Sequence, residues 1–97
     1  MLSQVIRALG ARREECFFWA THAGAELDLL VVRGRKRVAF EFKRTVAPCV
    51  TRSIQSAMAT LHLDRLDVVH AGSKTFEIAR GIRAIAASRV FEAIKPL

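Results

Sequence analysis

Ala25-Glu26-Leu27-Asp28-Leu29-Leu30-Val31-Val32, then Arg33-Gly34-Arg35-Lys36, then Arg37-Val38-Ala39-Phe40-Glu41-Phe42-Lys43 form the most strongly patterned segment of the chain. Two runs rich in apolar and β-branched residues, joined by a short segment with a glycine, predict a β-hairpin. With a two-residue loop at Gly34-Arg35, opposed residues sum to 69, so that Leu29 faces Phe40, Leu27 faces Phe42 and Val31 faces Val38. All of these are apolar. Because side chains alternate across a strand, the other face then carries Asp28 opposite Glu41 and Glu26 opposite Lys43, with Leu30, Val32, Arg37 and Ala39 beyond them. A slip of one residue would scramble both faces, so the pattern that specifies the core also specifies an acidic cluster. Directly opposed side chains are only about 4.5–5.5 Å apart at Cβ, where like charges repel. Neighbouring Lys and Arg side chains would offset that repulsion, and so would a hard divalent cation, since Mg²⁺ is commonly held by one or two carboxylates, waters and a substrate phosphate. The plainer reading is a solvated hairpin face on which Lys43 neutralises Glu26.

Outward from the hairpin, Leu2, Val5, Ile6 and Leu9 fall on one face of a short helix, with Ser3 near its start and Gly10 near its stop. Cys16 to Ala20, built around Phe17, Phe18 and Trp19, has strand character, and Thr21-His22-Ala23-Gly24 reads as a turn. Beyond Pro48, Val50, Ile54, Ala57, Met58 and Leu61 recur at helical spacing, with Thr51 or Ser53 available as the cap. Leu66–Ala71 reads as a buried strand closed by Gly72-Ser73, and Thr75–Ile78 as another short one. The tail is open to two readings: a strand over Ile82–Ala86 followed by a helix capped by Ser88, or one Ala-rich helix over 79–94. Gly81 and the capping tendency of Ser88 favour the first. The order of elements predicts an α/β domain, a mixed β-sheet flanked by helices.

At 97 residues, the chain is the size of one domain. A fold of this length buries only about 60–65% of the surface its unfolded chain exposes, so one sheet-and-helix stack must supply the core. No G-x-x-x-x-G-K-[ST] is present, which excludes P-loop nucleotide hydrolysis by these residues. Cys16 and Cys49 form no C-x-x-C and read as reduced thiols, and no apolar run is long enough to span a bilayer. These features lead to the expectation of a cytoplasmic protein. Sixteen Lys and Arg against nine Asp and Glu give a net charge of +7, which favours a polyanionic partner such as DNA.

Asp28 on one strand, followed by Glu41-Phe42-Lys43 on the next, resembles the D…E-x-K signature of the PD-(D/E)XK nuclease superfamily. The run from Phe18 to Leu30, with Gly24-Ala25-Glu26-Leu27-Asp28 at its heart, joined to Glu41-Phe42-Lys43-Arg44, is similar to the carboxy-terminal domain of unknown function that follows an AAA-type ATPase module in prokaryotic proteins. Leu27 stands where the superfamily has its eponymous proline. The resemblance covers about Phe17 to Phe91 and implies a restriction-endonuclease-like αβββαβ core, with residues 1–97 as one nuclease-like domain attached to, or partnered by, an ATPase module. It also implies Mg²⁺- or Mn²⁺-dependent hydrolysis of a nucleic-acid backbone. In that scheme Asp28 and Glu41, with the Phe42 carbonyl, hold the metal, Glu26 is a further ligand or supporting acid, and Lys43 orients water or stabilises developing charge. A catalytically inactive domain docking nucleic acid or protein for the ATPase is the alternative.

Other residues carry weaker signals. Gln55 on the second helix could position water or phosphate, although a solvated helix residue is the simpler reading. His22 reads first as a local hydrogen-bonder, and neither His62 nor His70 has a partner at metal-ligand spacing. Phe17, Phe18 and Trp19 read as core before they read as base-stacking groups. The basic residues Arg33, Arg35, Lys36 and Arg44, with Arg12, Arg13 and Arg37, are expected to form a phosphate-tracking rim beside the acidic pocket.

Overall fold

The computed structural model describes residues 1–22, 24–46 and 48–97. Ala23, in the turn expected over 21–24, lies outside the described residues, as does Ala47. Helix α1 spans Leu2–Leu9, and Gly10 closes it at φ 68°, a conformation that glycine adopts without Cβ strain. A single 3₁₀ turn at Arg13–Glu15 leads into strand β1, Cys16–Ala20. Strands β2, Glu26–Arg33, and β3, Lys36–Phe42, form the hairpin, with Gly34 at φ 59° in its two-residue loop. Helix α2, Arg52–Leu61, starts at Thr51, whose hydroxyl accepts the Ile54 N–H at 3.2 Å. It is followed by β4 at Arg65–His70, β5 at Phe76–Ala79, β6 at Ile82–Ala86 and the short helix α3 at Val90–Ala93.

The strands make one six-stranded sheet in the order β1-β2-β3-β4-β6-β5. β3, β4 and β6 run parallel, and the other pairs are antiparallel, so the sheet is mixed. On one face Val5, Leu9, Val90 and Ile94 pack over Leu29, Val31, Val38, Phe40, Val69 and Ile85. On the other, Ile54 and Ala57 of α2 pack over Leu27, Leu30, Ala39, Leu66, Val68 and Ile82. Each fully buried side chain of leucine size contributes about 1.5–3 kcal/mol. Between these layers Asp67 is fully buried, and the Arg65 and Arg83 guanidiniums bond it at 3.0–3.1 Å. Arg83 also reaches the Ala93 carbonyl at 3.4 Å, tying α3 to the sheet. No helix among the described residues is long and apolar enough to cross a membrane.

The hairpin register holds at Leu29↔Phe40 and Val31↔Val38 but fails at its open end. Leu27 does not face Phe42. The pairing of β1 with β2 shifts by one residue between Phe17↔Leu30 and Trp19↔Leu27, so Asp28 and Leu29 together oppose Phe18. That bulge turns Leu27 into the α2 layer while Phe42 packs on the α1 layer. The tail follows the strand-first reading, with one change: Ser88 lies inside a 3₁₀ turn at Ala87–Arg89, and α3 begins without a side-chain cap. Likewise α1, with Met1 as its N-cap residue, begins without a side-chain cap.

Candidate active site

The bulge in β2 reorganises the hairpin where its acids lie. With the β2–β3 ladder ending at Leu29↔Phe40, the Phe42 N–H has no ladder carbonyl, and it donates instead to Asp28 Oδ2 at 2.8 Å. The Asp28 carboxylate is therefore directed across to β3 and takes the role of a backbone acceptor. Glu41 continues the α2-facing side of β3 after Ala39 and is only 6% exposed. Burial pushes its proton affinity up, the Lys43 ammonium opposes that, and the negative charges of Asp28 and Glu26 add to it. Lys43 Nζ lies 4.0 Å from Glu41 Oε1 and its side chain is 43% exposed, free to turn toward solvent. Asp28, Glu41 and Lys43 thus share one end of the central hairpin.

Glu26 is exposed at the start of β2, where its backbone N–H donates to the Ser53 hydroxyl at 3.3 Å and ties the strand to the first turn of α2. It acts on Glu41 through its charge. Among the described residues no group of three or more His, Cys, Asp or Glu side chains is gathered to hold a metal ion. The local donor set is therefore the Asp28–Glu41 pair. Two depressions open at this end of the sheet, and the residues lining them include neither Asp28 nor Glu41. One, of about 260 Å³, is lined by Phe42, Lys43, Arg44, Val69, His70 and neighbouring residues, and the other, of about 250 Å³, by Lys43, Thr45, Pro48, Cys49, Thr51 and Val68. Lys43 lines both. Thr45, Pro48 and Cys49 carried no signal as site residues, although their position directly after the E-x-K triplet and before the α2 cap was a cue.

The basic residues divide. Arg44 follows Lys43 just past the end of β3, lining a depression with Phe42 and Val69, whereas Arg35 in the hairpin loop and Lys36 at the first position of β3 lie at the opposite end of the strand, about 17–20 Å from Glu41 at 3.3 Å per residue. The expected rim around the acids does not form there. Arg33 is committed to the fold: its guanidinium bonds Glu15 at 2.8 and 3.0 Å, the Gly10 carbonyl at 2.9 Å and the Leu97 carbonyl at 3.3 Å. Arg37 bonds the Leu61 carbonyl at the end of α2 at 2.9 Å. Gln55 is exposed on α2, and His22 is exposed in its turn. His70 is buried with both ring nitrogens used: Nδ1 accepts the Gly72 N–H at 3.0 Å, which leaves Nε2 to donate to the Lys74 carbonyl at 2.8 Å. Phe17 and Phe18 are 50% and 67% exposed on the edge strand, so they are not core; Trp19 is partly buried against the α2 layer.

Comparison with known proteins relates the sequence to a wider set. The sequence model of a domain of unknown function, DUF4143, matches residues 1–90. The uncharacterized proteins Rv2008c of Mycobacterium tuberculosis and Mb2031c of Mycobacterium bovis are each 36% identical to the chain over 74 residues, covering 76% of it. The chain spans 17% of the length of those relatives. No solved structure matches it at a significant level.

Proposed function

The chain belongs to the DUF4143 family, and from that footing we propose that it is a nuclease-like domain of the PD-(D/E)XK kind, hydrolysing a nucleic-acid phosphodiester backbone with Mg²⁺ or Mn²⁺. One observation carries the reading: a bulge directs Asp28 across the hairpin toward β3, near a Glu41 whose proton affinity is raised first by burial, with the Lys43 ammonium opposing the rise and the charges of Asp28 and Glu26 adding to it. The restriction-endonuclease-like αβββαβ core is part of the same proposal, and the order of the first six elements supports it.

The donor chemistry suits a hard divalent ion, which takes one or two carboxylates and completes its shell with water and substrate phosphate. Asp28 and Glu41, with the Phe42 carbonyl, are the residues that would hold it, with Glu26 adding negative charge nearby. When bound, such an ion stabilises charge on the scissile phosphate and acidifies an attacking water. Lys43 has the exposure and the compact charge to orient that water or to stabilise the developing negative oxygen. Arg44, exposed and next in sequence to Lys43, would contact a neighbouring phosphate.

Purified protein should nick plasmid or branched DNA in Mg²⁺ or Mn²⁺. Asp28→Ala and Lys43→Ala should each abolish nicking while salt-sensitive binding persists; nicking that survives both substitutions overturns the assignment. The pairing of only two carboxylates favours a second reading, in which the domain is catalytically silent and docks nucleic acid or protein for an AAA-type ATPase module. Titration calorimetry separates the two. Millimolar Mg²⁺ or Mn²⁺ that yields no heat with the parent protein supports docking, whereas heat that vanishes in Glu41→Ala supports chemistry.

A further inference from the structure

The net charge of +7 is not concentrated at the carboxylate end of the sheet. There, Lys43, Arg44 and Arg52 stand against Glu26, Asp28 and Glu41. The excess lies at the opposite end, where three connections converge: the approach to β1, the β2–β3 loop and the β5–β6 loop. The registers fix this convergence, because Cys16 pairs with Val31, Val31 with Val38, Val38 with Arg65 and Leu66 with Ile82. Arg13, Arg35, Lys36 and Arg80 are thereby brought to one edge of the molecule, and all four are exposed.

Much of the positive charge at this end has a structural explanation, and it can be set aside. Arg33 and Arg37 bond the carbonyls that end α1 and α2, which are the negative ends of those helices. Arg65 is paired with Asp67, and Arg12 adds its field to Arg33 at Glu15. Among the described residues Arg13, Arg35, Lys36 and Arg80 have no ion-pair partner, and carboxylates of this part of the fold are Glu14, the Arg33-paired Glu15, Asp64, which accepts the Arg37 N–H at 2.8 Å, the buried Asp67, and Glu77, three residues before Arg80. From the approach to β1 to the β5–β6 loop the row crosses between four and five strand spacings, roughly 20 Å at 4.8 Å each. That length matches about six base pairs of duplex, along which phosphates recur every ~1.7 Å of axis.

We propose that this edge, formed by Arg13, Arg35, Lys36 and Arg80, is a second nucleic-acid surface that tracks the phosphate backbone of a duplex, separate from the carboxylate site and at the far end of the same sheet. It shares a nucleic-acid partner with the reading above but requires nothing of Asp28, Glu41 or Lys43. Such a contact carries no sequence information, and its strength falls with salt in proportion to the phosphates neutralised.

The test is a salt titration of duplex binding by the 97-residue protein, by fluorescence anisotropy with a 20-base-pair probe, for the parent, the quadruple variant R13A/R35A/K36A/R80A, and Lys74→Ala, which removes an exposed charge between β4 and β5 at the other end of the sheet. Circular dichroism and Tm confirm folding, since all four basic side chains are solvent-exposed. Removing four phosphate contacts should lower the magnitude of the log K against log salt slope by about 3.6 and weaken binding at least tenfold at ~0.15 M salt. Lys74→Ala should retain the parental slope. That outcome, with or without nicking in Mg²⁺, supports the surface; absence of nicking alone counts only against the carboxylate reading. Parental affinity and slope in the quadruple variant overturn the proposal. So does a parent protein that ignores the duplex at 50 mM salt and binds anionic vesicles instead.

Discussion

Glu41 illustrates how a single side chain records conflicting demands. Burial raises its proton affinity, Lys43 pulls the other way, and Asp28 and Glu26 reinforce the rise. A carboxyl whose folded affinity for protons exceeds its unfolded one lowers stability as pH climbs through its range, because folding then confines a charge that water would solvate better. The Glu41→Gln protein should therefore melt at a higher temperature than the parent at pH 7, and this advantage should shrink toward pH 4, where the parent's Glu41 is protonated. Differential scanning calorimetry at the two pH values checks both sign and trend. A variant that melts lower at pH 7 would mean that attraction to Lys43 outweighs the burial of the charge.

Among the elements, α2 positions the site. Its first turn is fastened to β2 through the Ser53 hydroxyl and the Glu26 N–H, and its cap is the Thr51 hydroxyl. Replacing Thr51 with Ala should cost about 1 kcal/mol, measurable by urea unfolding, with little change in the m-value. The helix spacing after Pro48 and the choice of Thr51 or Ser53 as cap were legible in the sequence, because a short periodic segment with a hydroxyl at its head has few alternatives. The hairpin loop was equally legible, since only one register buries Leu29, Val31, Val38 and Phe40 together. The bulge at Asp28–Leu29 was not. It arises from pairing with β1, a strand whose register no local pattern in β2 reveals, and it sends Leu27 to the face opposite the one that alternation demands. Asp67 was equally hidden, because its neutralising partners Arg65 and Arg83 lie on two strands that meet only in the finished sheet.

Across the whole molecule, charge is segregated by position. The clamp of Arg33 on Glu15, Gly10 and Leu97 draws the end of α1, the 3₁₀ turn and the carboxy-terminal segment onto one guanidinium. Its hydrogen bonds hold the Glu15 carboxyl at about 2, with the Arg12 backbone N–H and the fields of both arginines helping against a smaller cost of burial. A depressed carboxyl contributes stability that is complete above its unfolded value of 4.5 and is lost as pH falls toward about 2. Acid titration followed by circular dichroism should show the parent weakening across that window. Glu15→Gln should be less stable at pH 7 and show a flatter profile below pH 4.5. An unchanged acid profile would place the parent's sensitivity elsewhere. The basic loop grouped with the acids stands apart from them by the length of a strand, a separation the hairpin register already implied, since it sets Arg35 at the turn and Glu41 near the far end of β3.

Asp28 holds the Phe42 amide with the same carboxylate that the proposed chemistry would call upon. Occupancy by a cation and closure of the hairpin mouth thus compete for one group, so the amide proton of Phe42 becomes a reporter: a cation that recruits both Asp28 oxygens should hasten its exchange with solvent, while amides nearer the loop, such as Val38, keep their protection. A ligand that leaves the exchange of Phe42 untouched would be one that never engages Asp28 Oδ2.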